Sequence, residues 1–236
     1  MTLPRPDAIA SQEQNSVARL AGLLYLLTNA ASIWAFSARA RLIVRGDAAR
    51  TARNLVTSEH LFRATLAADL LMLAGVIALL WALYIVLAPV NKNLALLAAL
   101  WRLVENAVLA GATLQAFAAL TLLGGGAYLS AIGPDRLQAL ACASLRVHGA
   151  GFNVGFVFLG LGSALFSYLW LRSRYVPRAL PVLGIVASLL LTVVTLATMV
   201  FPGLAAVGIA YMLPMGLYEI TLGFWLALRG LRLQGR

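Results

Sequence analysis

Four ionisable side chains, Asp69, Arg102, Glu105 and Glu219, interrupt blocks of sequence apolar enough to cross a bilayer. A charge at bilayer depth costs about 3 kcal/mol or more, so each of these groups needs a partner or a task. The set holds three carboxyls against one guanidinium, and arginine cannot be deprotonated. One carboxylate is therefore expected to ion-pair with Arg102, and like charges at low dielectric disfavour joint ionisation of the others. Arg102 and Glu105 are spaced i, i+3 and share one helix face. A buried polar cluster of this kind suits a proton relay, an ion path or a ligand site. It suits equally well an ion pair that only fixes helix register.

A second polar group, Glu59, His60, Arg63 and His148 with Asn153 a turn further in, falls near the other membrane face. Glu59 and Arg63 are i, i+4 partners. His60 and His148 are the only histidines, and with Glu59 they could offer acid, base or anion-binding groups. No HExxH or comparable ligand spacing accompanies them, so no metal is expected. No GxSxG elbow, P-loop or GxGxxG element is present, and no cofactor is implied. Gly124-Gly125-Gly126 reads as a span stop, because no Lys-Ser/Thr follows it. Cys142 stands alone, forms no internal disulfide and reads as a small apolar residue. No residue is assigned a catalytic role.

The elements that must position these groups follow from composition. The chain is 62% hydrophobic and 11% charged, with a mean hydropathy of +0.89. Soluble domains carry roughly 25% charged residues, so this chain could not cover a water-facing surface. Its apolar residues fall in blocks long enough to span a bilayer and without the period-2 alternation of a barrel wall. Lipid offers backbone amides no partners, which leaves helices. The expected fold is an all-α polytopic bundle of about six spans with one or two interfacial helices. The divisions are a polar N-terminal tail over 1–16, one transmembrane domain over 17–230 and a short basic tail over 231–236.

The spans are expected at about 17–38, 58–87, 94–123, 147–171, 180–200 and 205–228. Asp47 is placed to N-cap a short interfacial helix in the loop over 39–57, since its carboxylate can accept free first-turn amides. Pro89 stops the second span, and the turn over 89–93 makes spans two and three an antiparallel hairpin. That hairpin makes Asp69 a plausible neighbour of Arg102 and Glu105. Residues 135–146, with Leu137, Leu140, Ala141 and Leu145 on one side, read as a separate amphipathic segment. Gly151, Gly155 and Gly162, and the sevenfold series Gly216, Gly223 and Gly230, suit close helix–helix contact. The five tryptophans lie mostly toward span ends, as interfacial anchors do.

The formal net charge is +10, but the basic residues sit at span ends and in short loops beside head groups, so the partner they indicate is the lipid bilayer, not nucleic acid. Nine basic residues fall on the side of the termini and seven on the opposite side. That balance puts both termini in the cytoplasm of a multi-pass protein of the inner (plasma) membrane. Residues 1–16 lack the basic start and short apolar core of a cleavable signal, although Ala38-Arg39-Ala40 imitates a cleavage site. Oligomeric state is not expressed in these patterns.

Several stretches, in order, resemble the bacterial integral-membrane family called domain of unknown function 4386. They are ARLAGLLYLL over 18–27, GDAA over 46–49, PVNKNLALLAA over 89–99, Arg102-Leu103, and HGAGFNVG over 148–155. The others are Arg172-Ser173 with VPR over 176–178, and Glu219 followed by GFWLALRG over 223–230. The chain departs from the family's pattern in span five, at Ala187-Ser188-Leu189. The resemblance implies a one-domain membrane protein, places Arg102, His148 and Glu219 within the family's pattern, and carries over no catalytic or binding residue.

Three readings of function stand open. In the first, the midplane group serves small-molecule or proton-coupled transport or sensing. In the second, the protein is a non-catalytic scaffold or partner subunit held together by its glycine faces. In the third, it is an intramembrane enzyme acting on a lipid or quinone-like substrate through Glu59, His60, Arg63 and His148.

Overall fold

The structure is a computed structural model that describes residues 12–44, 46–125, 131–201, 203–204, 208 and 210–232. The described residues form seven α-helices: α1 (Gln12–Leu42), α2 (Ala48–Thr57), α3 (Glu59–Leu87), α4 (Lys92–Leu123), α5 (Pro134–Ser173), α6 (Ala179–Val200) and α7 (Leu213–Arg229). A 3-10 turn over Ala210–Met212 leads into α7. All but α2 are long and apolar enough to cross a membrane, α7 with its preceding turn included. This is an all-α, multi-pass membrane bundle.

Local sequence explains where these helices begin and end. Asp47 accepts a hydrogen bond from the Arg50 amide at 2.7 Å, so α2 has the N-cap its sequence calls for. Asn91 accepts from the Leu94 amide at 3.0 Å and starts α4 directly after the turn that follows α3. Arg174 ends α5 in the left-handed region, at φ 58°. Two boundaries differ from expectation. α1 begins at Gln12, inside the stretch read as a polar tail; residues 1–11 and 233–236 of the two tails lie outside the described residues. The 135–146 segment is not separate: it is continuous with span four in the 40 residues of α5. No proline interrupts the junction, and Ala141 and Leu145 are buried with Leu42, Leu55, Phe62, Leu66, Ala116 and Leu120 at one end of the bundle. That burial gives the segment an apolar protein contact in place of an interfacial one. In span six, regular helix starts only at Ala210; residues 205–207 and 209 lie outside the described residues.

The helices form a closed ring. α1 packs on α3, α3 on α4, α4 on α5, α5 on α6, α6 on α7, and α7 returns to α1, while α2 lies across the end against α5 and α3. Long side chains such as Leu71 and Leu228, 74% and 72% exposed, cover the outside of the ring. A surface that apolar fits acyl chains and not water.

Small residues set how closely neighbours approach. A Cβ on Gly22 would sit 2.4 Å from the Ala227 amide nitrogen and 2.7 Å from the Gly223 carbonyl oxygen, so α1 and α7 touch backbone to backbone. Gly151 and Gly155 press α5 onto Ala112 and Leu109 of α4, and Gly162 continues the same face onto Ala98 and Arg102. Of the sevenfold series, Gly223 meets α1 and Gly230 meets Asn15, but Gly216 faces open space and takes no part. Trp170 also departs from the interfacial pattern, being fully buried in the core.

Candidate functional site

Inside the ring, α4 and α7 bring Arg102, Glu105 and Glu219 together. Arg102 Nη1 lies 3.0 Å from Glu105 Oε2, and Arg102 Nη2 lies 4.0 Å from Glu219 Oε1. Arg102 and Glu105 are each 5% exposed, and the Glu219 side chain is 13% exposed. Counted along the helices at 1.5 Å per residue, Arg102 lies about 15 Å from the start of α4 and Glu219 about 15 Å from the end of α7. Both distances are half the roughly 30 Å hydrocarbon core, so the group sits near the midplane.

Other elements complete the surroundings. α1 contributes Asn29, whose amide donates to Glu219 Oε2 at 3.2 Å and to the Tyr25 carbonyl at 3.0 Å. Tyr25 is buried one turn earlier and close enough to interact electrostatically with Arg102, Glu105 and Glu219. On α7, Tyr218 accepts a hydrogen bond from Ser167 of α5 at 2.9 Å. Gly162 of α5 leaves room for the arginine stem: a Cβ there would meet Arg102 Cγ at 2.6 Å and the Ala98 carbonyl at 2.9 Å. One turn beyond Arg102, Asn106 donates to the Leu73 carbonyl at 3.2 Å and ties α4 to α3.

The charges do not balance. With all three groups ionised the trio carries one net negative charge, and its hydrogen-bonding capacity is incompletely used. Arg102 Nη1 and Glu105 Oε2 meet as an ion pair without well-aligned hydrogen-bond geometry, and Glu219 Oε1, 4.0 Å from Arg102 Nη2, is buried without a hydrogen-bonding partner. Asn106 Oδ1 is buried without a partner as well.

Asp69 does not belong to this trio. It forms a two-pronged ion pair with Arg39 of α1, in which Nη1 bonds Oδ2 and Nη2 bonds Oδ1 at 3.0 Å. The reason is register. The Asn106–Leu73 contact shows which levels of the α3–α4 hairpin meet, and Asp69 falls one turn past Leu73, about 12 Å along the axis from Arg102. Arg39, counted by sequence among loop residues, is 7% exposed and lies within α1. It is the principal site residue that sequence reasoning missed. The available signal was Asp69 itself: a buried carboxylate needs a cation, and Arg102 already had Glu105 one turn away.

The second expected group separates. Glu59 and Arg63 pair at 2.7 Å on an exposed surface of α3, with side chains 46% and 55% exposed. His60 is exposed beside them, and Asn153 is half-buried on α5. His148 is buried, 6% exposed, and its Nδ1 lies 3.0 Å from the Ala112 carbonyl of α4. The two histidines differ in setting, His60 exposed on α3 and His148 buried against α4. Among the described residues no group of three or more His, Cys, Asp or Glu side chains is placed to hold a metal ion.

The family model described as domain of unknown function (DUF4386) matches residues 20–230. No curated protein and no solved structure matches the chain.

Proposed function

The chain belongs to the DUF4386 family, and from that premise we propose that it is a proton-coupled membrane protein that moves or senses a small molecule through Arg102, Glu105 and Glu219. One observation carries this reading: two buried carboxylates share one guanidinium, and Glu219 Oε1, 4.0 Å from Arg102 Nη2, is left without a hydrogen-bonding partner. A pair whose only role is to fix helix register would be charge-balanced and fully hydrogen-bonded, since incomplete pairing of buried charge is costly. Here a proton on either carboxyl would bring the trio to neutrality and supply a donor to an unpartnered acceptor. The same spare acceptors would serve a cationic or hydrogen-bond-donating ligand.

Position supports the proposal too. The trio draws its members from α4 and α7, and Asn29 of α1 extends it, so a change in protonation would act on three helices of the ring at once. The scaffold reading gains support only from the glycine contacts, which any tight bundle needs. The enzyme reading relied on two histidines in one site.

The proposed location is the inner (plasma) membrane with both termini cytoplasmic. The Arg232 amide donates to the Tyr175 carbonyl at 2.8 Å, which joins the basic end of α7 to the Arg-rich turn after α5. Both basic segments then lie on one side, as the positive-inside rule asks of a cytoplasmic face.

The test is reconstitution into liposomes carrying an internal pH indicator, with an imposed pH gradient and a panel of small cations and amines. The reading expects protein-dependent proton movement, alone or with one of the compounds, that Glu219→Gln abolishes. Movement of neither protons nor solutes, or movement unchanged by Glu219→Gln and Glu105→Gln, would refute it.

A further inference from the structure

The ion pair of Arg39 and Asp69 lies toward the α2 end of the ring, and by the register of the Asn106–Leu73 contact Asp69 falls within about one turn of the level of Ala112, where His148 meets α4. Three separate helices supply the three side chains: α1, α3 and α5. Arg39 and Asp69 are buried, 7% and 2% exposed, and lie within electrostatic reach of the His148 imidazole. From α4 the ring receives the Ala112 carbonyl, and its own helix supplies Phe152, edge-on at 4.9 Å.

The bond to Ala112 fixes the chemistry of the imidazole. A carbonyl can only accept, so Nδ1 must carry the hydrogen, and in the neutral ring Nε2 is left as the basic atom. A proton taken up there turns a neutral ring into a cation next to an arginine–aspartate pair. Asp69 then faces two cations in place of one, and the hold of α3 on α1 through Arg39 is shared with α5.

We propose that His148, with the Arg39–Asp69 pair, is a second proton-binding site, placed between the α2 end of the ring and the midplane trio. Its role as the access point for that trio rests on the reading given above; its proton binding does not. The two sites share one buried face of α4, which carries Arg102, Glu105 and Asn106 and, about two turns on, Ala112 and Thr113. The step is a simple proton transfer: a hydronium ion at the α2 end gives up a proton and becomes water, Nε2 accepts it, and Asp69 compensates the new charge.

The chain contains two histidines, which makes a direct test simple. Protein labelled with 15N-histidine is placed in lipid nanodiscs, and both imidazoles are followed by NMR over about pH 5 to 8, where histidine changes charge. Exposed His60 serves as the internal reference and His60→Gln assigns the signals. The expected result is a neutral His148 with hydrogen on Nδ1 that gains a proton reversibly at Nε2 while the protein stays folded. Asp69→Asn should move the His148 midpoint by about one pH unit, tenfold in proton affinity, and leave His60 unmoved. Because Asp69→Asn leaves a buried arginine unpaired and could unfold the protein, Arg39→Gln serves as a second variant: it removes the cation and should move the midpoint in the opposite direction. A His148 that holds one protonation state throughout, or a midpoint indifferent to both variants, would overturn the proposal.

A second arm addresses the link to the trio. His148→Asn can keep a donor at the Nδ1 position for Ala112 but cannot take up a proton, and in liposomes it should cut pH-driven movement about tenfold or more. Titration of His148 together with undiminished movement in His148→Asn would leave a proton site but refute its role as access point. Titration in a protein that moves nothing would refute the reading of the trio alone.

Discussion

Replacing Arg102 by leucine removes the only cation facing Glu105 and Glu219, and the structure gives the size of the effect. At 3.0 Å and an effective dielectric of about 20, the Arg102–Glu105 attraction is about 5 kcal/mol, and at 4.0 Å the Arg102–Glu219 attraction is about 4 kcal/mol. These gross values are largely offset by the desolvation of three buried charged groups, several kcal/mol each. The substitution alters that balance unevenly. Two oxygen atoms held within 4.0 Å of one guanidinium are at most roughly 9 Å apart, so at the same dielectric they repel by about 2 kcal/mol or more once it is gone. Removing one partner of a buried ion pair destabilises by about 3–5 kcal/mol. For a chain of this size that corresponds to a loss of roughly 6–20 °C in melting temperature. Thermal unfolding in a mild detergent, followed by circular dichroism or by retention on size exclusion, measures it. The diagnostic arm is R102L combined with E105Q and E219Q. With the uncompensated carboxylates gone, the triple variant should recover at least half of the loss. If R102L melts with the parent, or the triple variant melts no higher than R102L, the reasoning fails.

Other expectations follow from particular contacts. Gly22→Ala should destabilise by about 1–3 kcal/mol, because its Cβ meets backbone atoms of α7 that cannot swing aside, whereas Gly111→Ala, with nothing within 4 Å, should gain up to about 1 kcal/mol from helix propensity; paired melting curves test the contrast. Glu59→Ala should change stability by no more than about 0.5 kcal/mol, since its pair with Arg63 is exposed, and a shift comparable to that of R102L would contradict this. Arg39→Leu should destabilise by about 3–5 kcal/mol and R39L/D69L by much less, a double-mutant cycle readable in the same melting assay. Asn91→Ala should cost about 1 kcal/mol through loss of the cap on α4, with little effect on the polar trio far from it.

Hydropathy made the six spans legible, since each crossing needs about 20 apolar residues and proline or glycine marks several stops. The helix start at Asp47 could be read because a cap is a local bond between residues three apart. Which face of each span turns inward was much less legible. In water an apolar stripe marks the core, but in lipid both faces are apolar and the periodic signal fades. Asp69 shows the consequence: its partner, Arg39, is thirty residues away, and nothing local distinguishes that arginine from its neighbour Arg41 at the end of α1. Asn29 and Tyr25 escaped notice for the same reason, because their relation to Glu219 exists only where α1 meets α7. The i, i+3 pair Arg102–Glu105, by contrast, needed only one helix to predict.

The central claim is that the midplane trio takes up a proton. Infrared difference spectra of the protein in lipid, recorded over a pH series, report protonated carboxyl groups directly through their C=O stretch. The account predicts a carboxyl signal that appears reversibly on acidification and is lost when Glu105→Gln and Glu219→Gln are combined. A signal that persists in that double variant, or no titrating carboxyl at all in the parent protein, would contradict it.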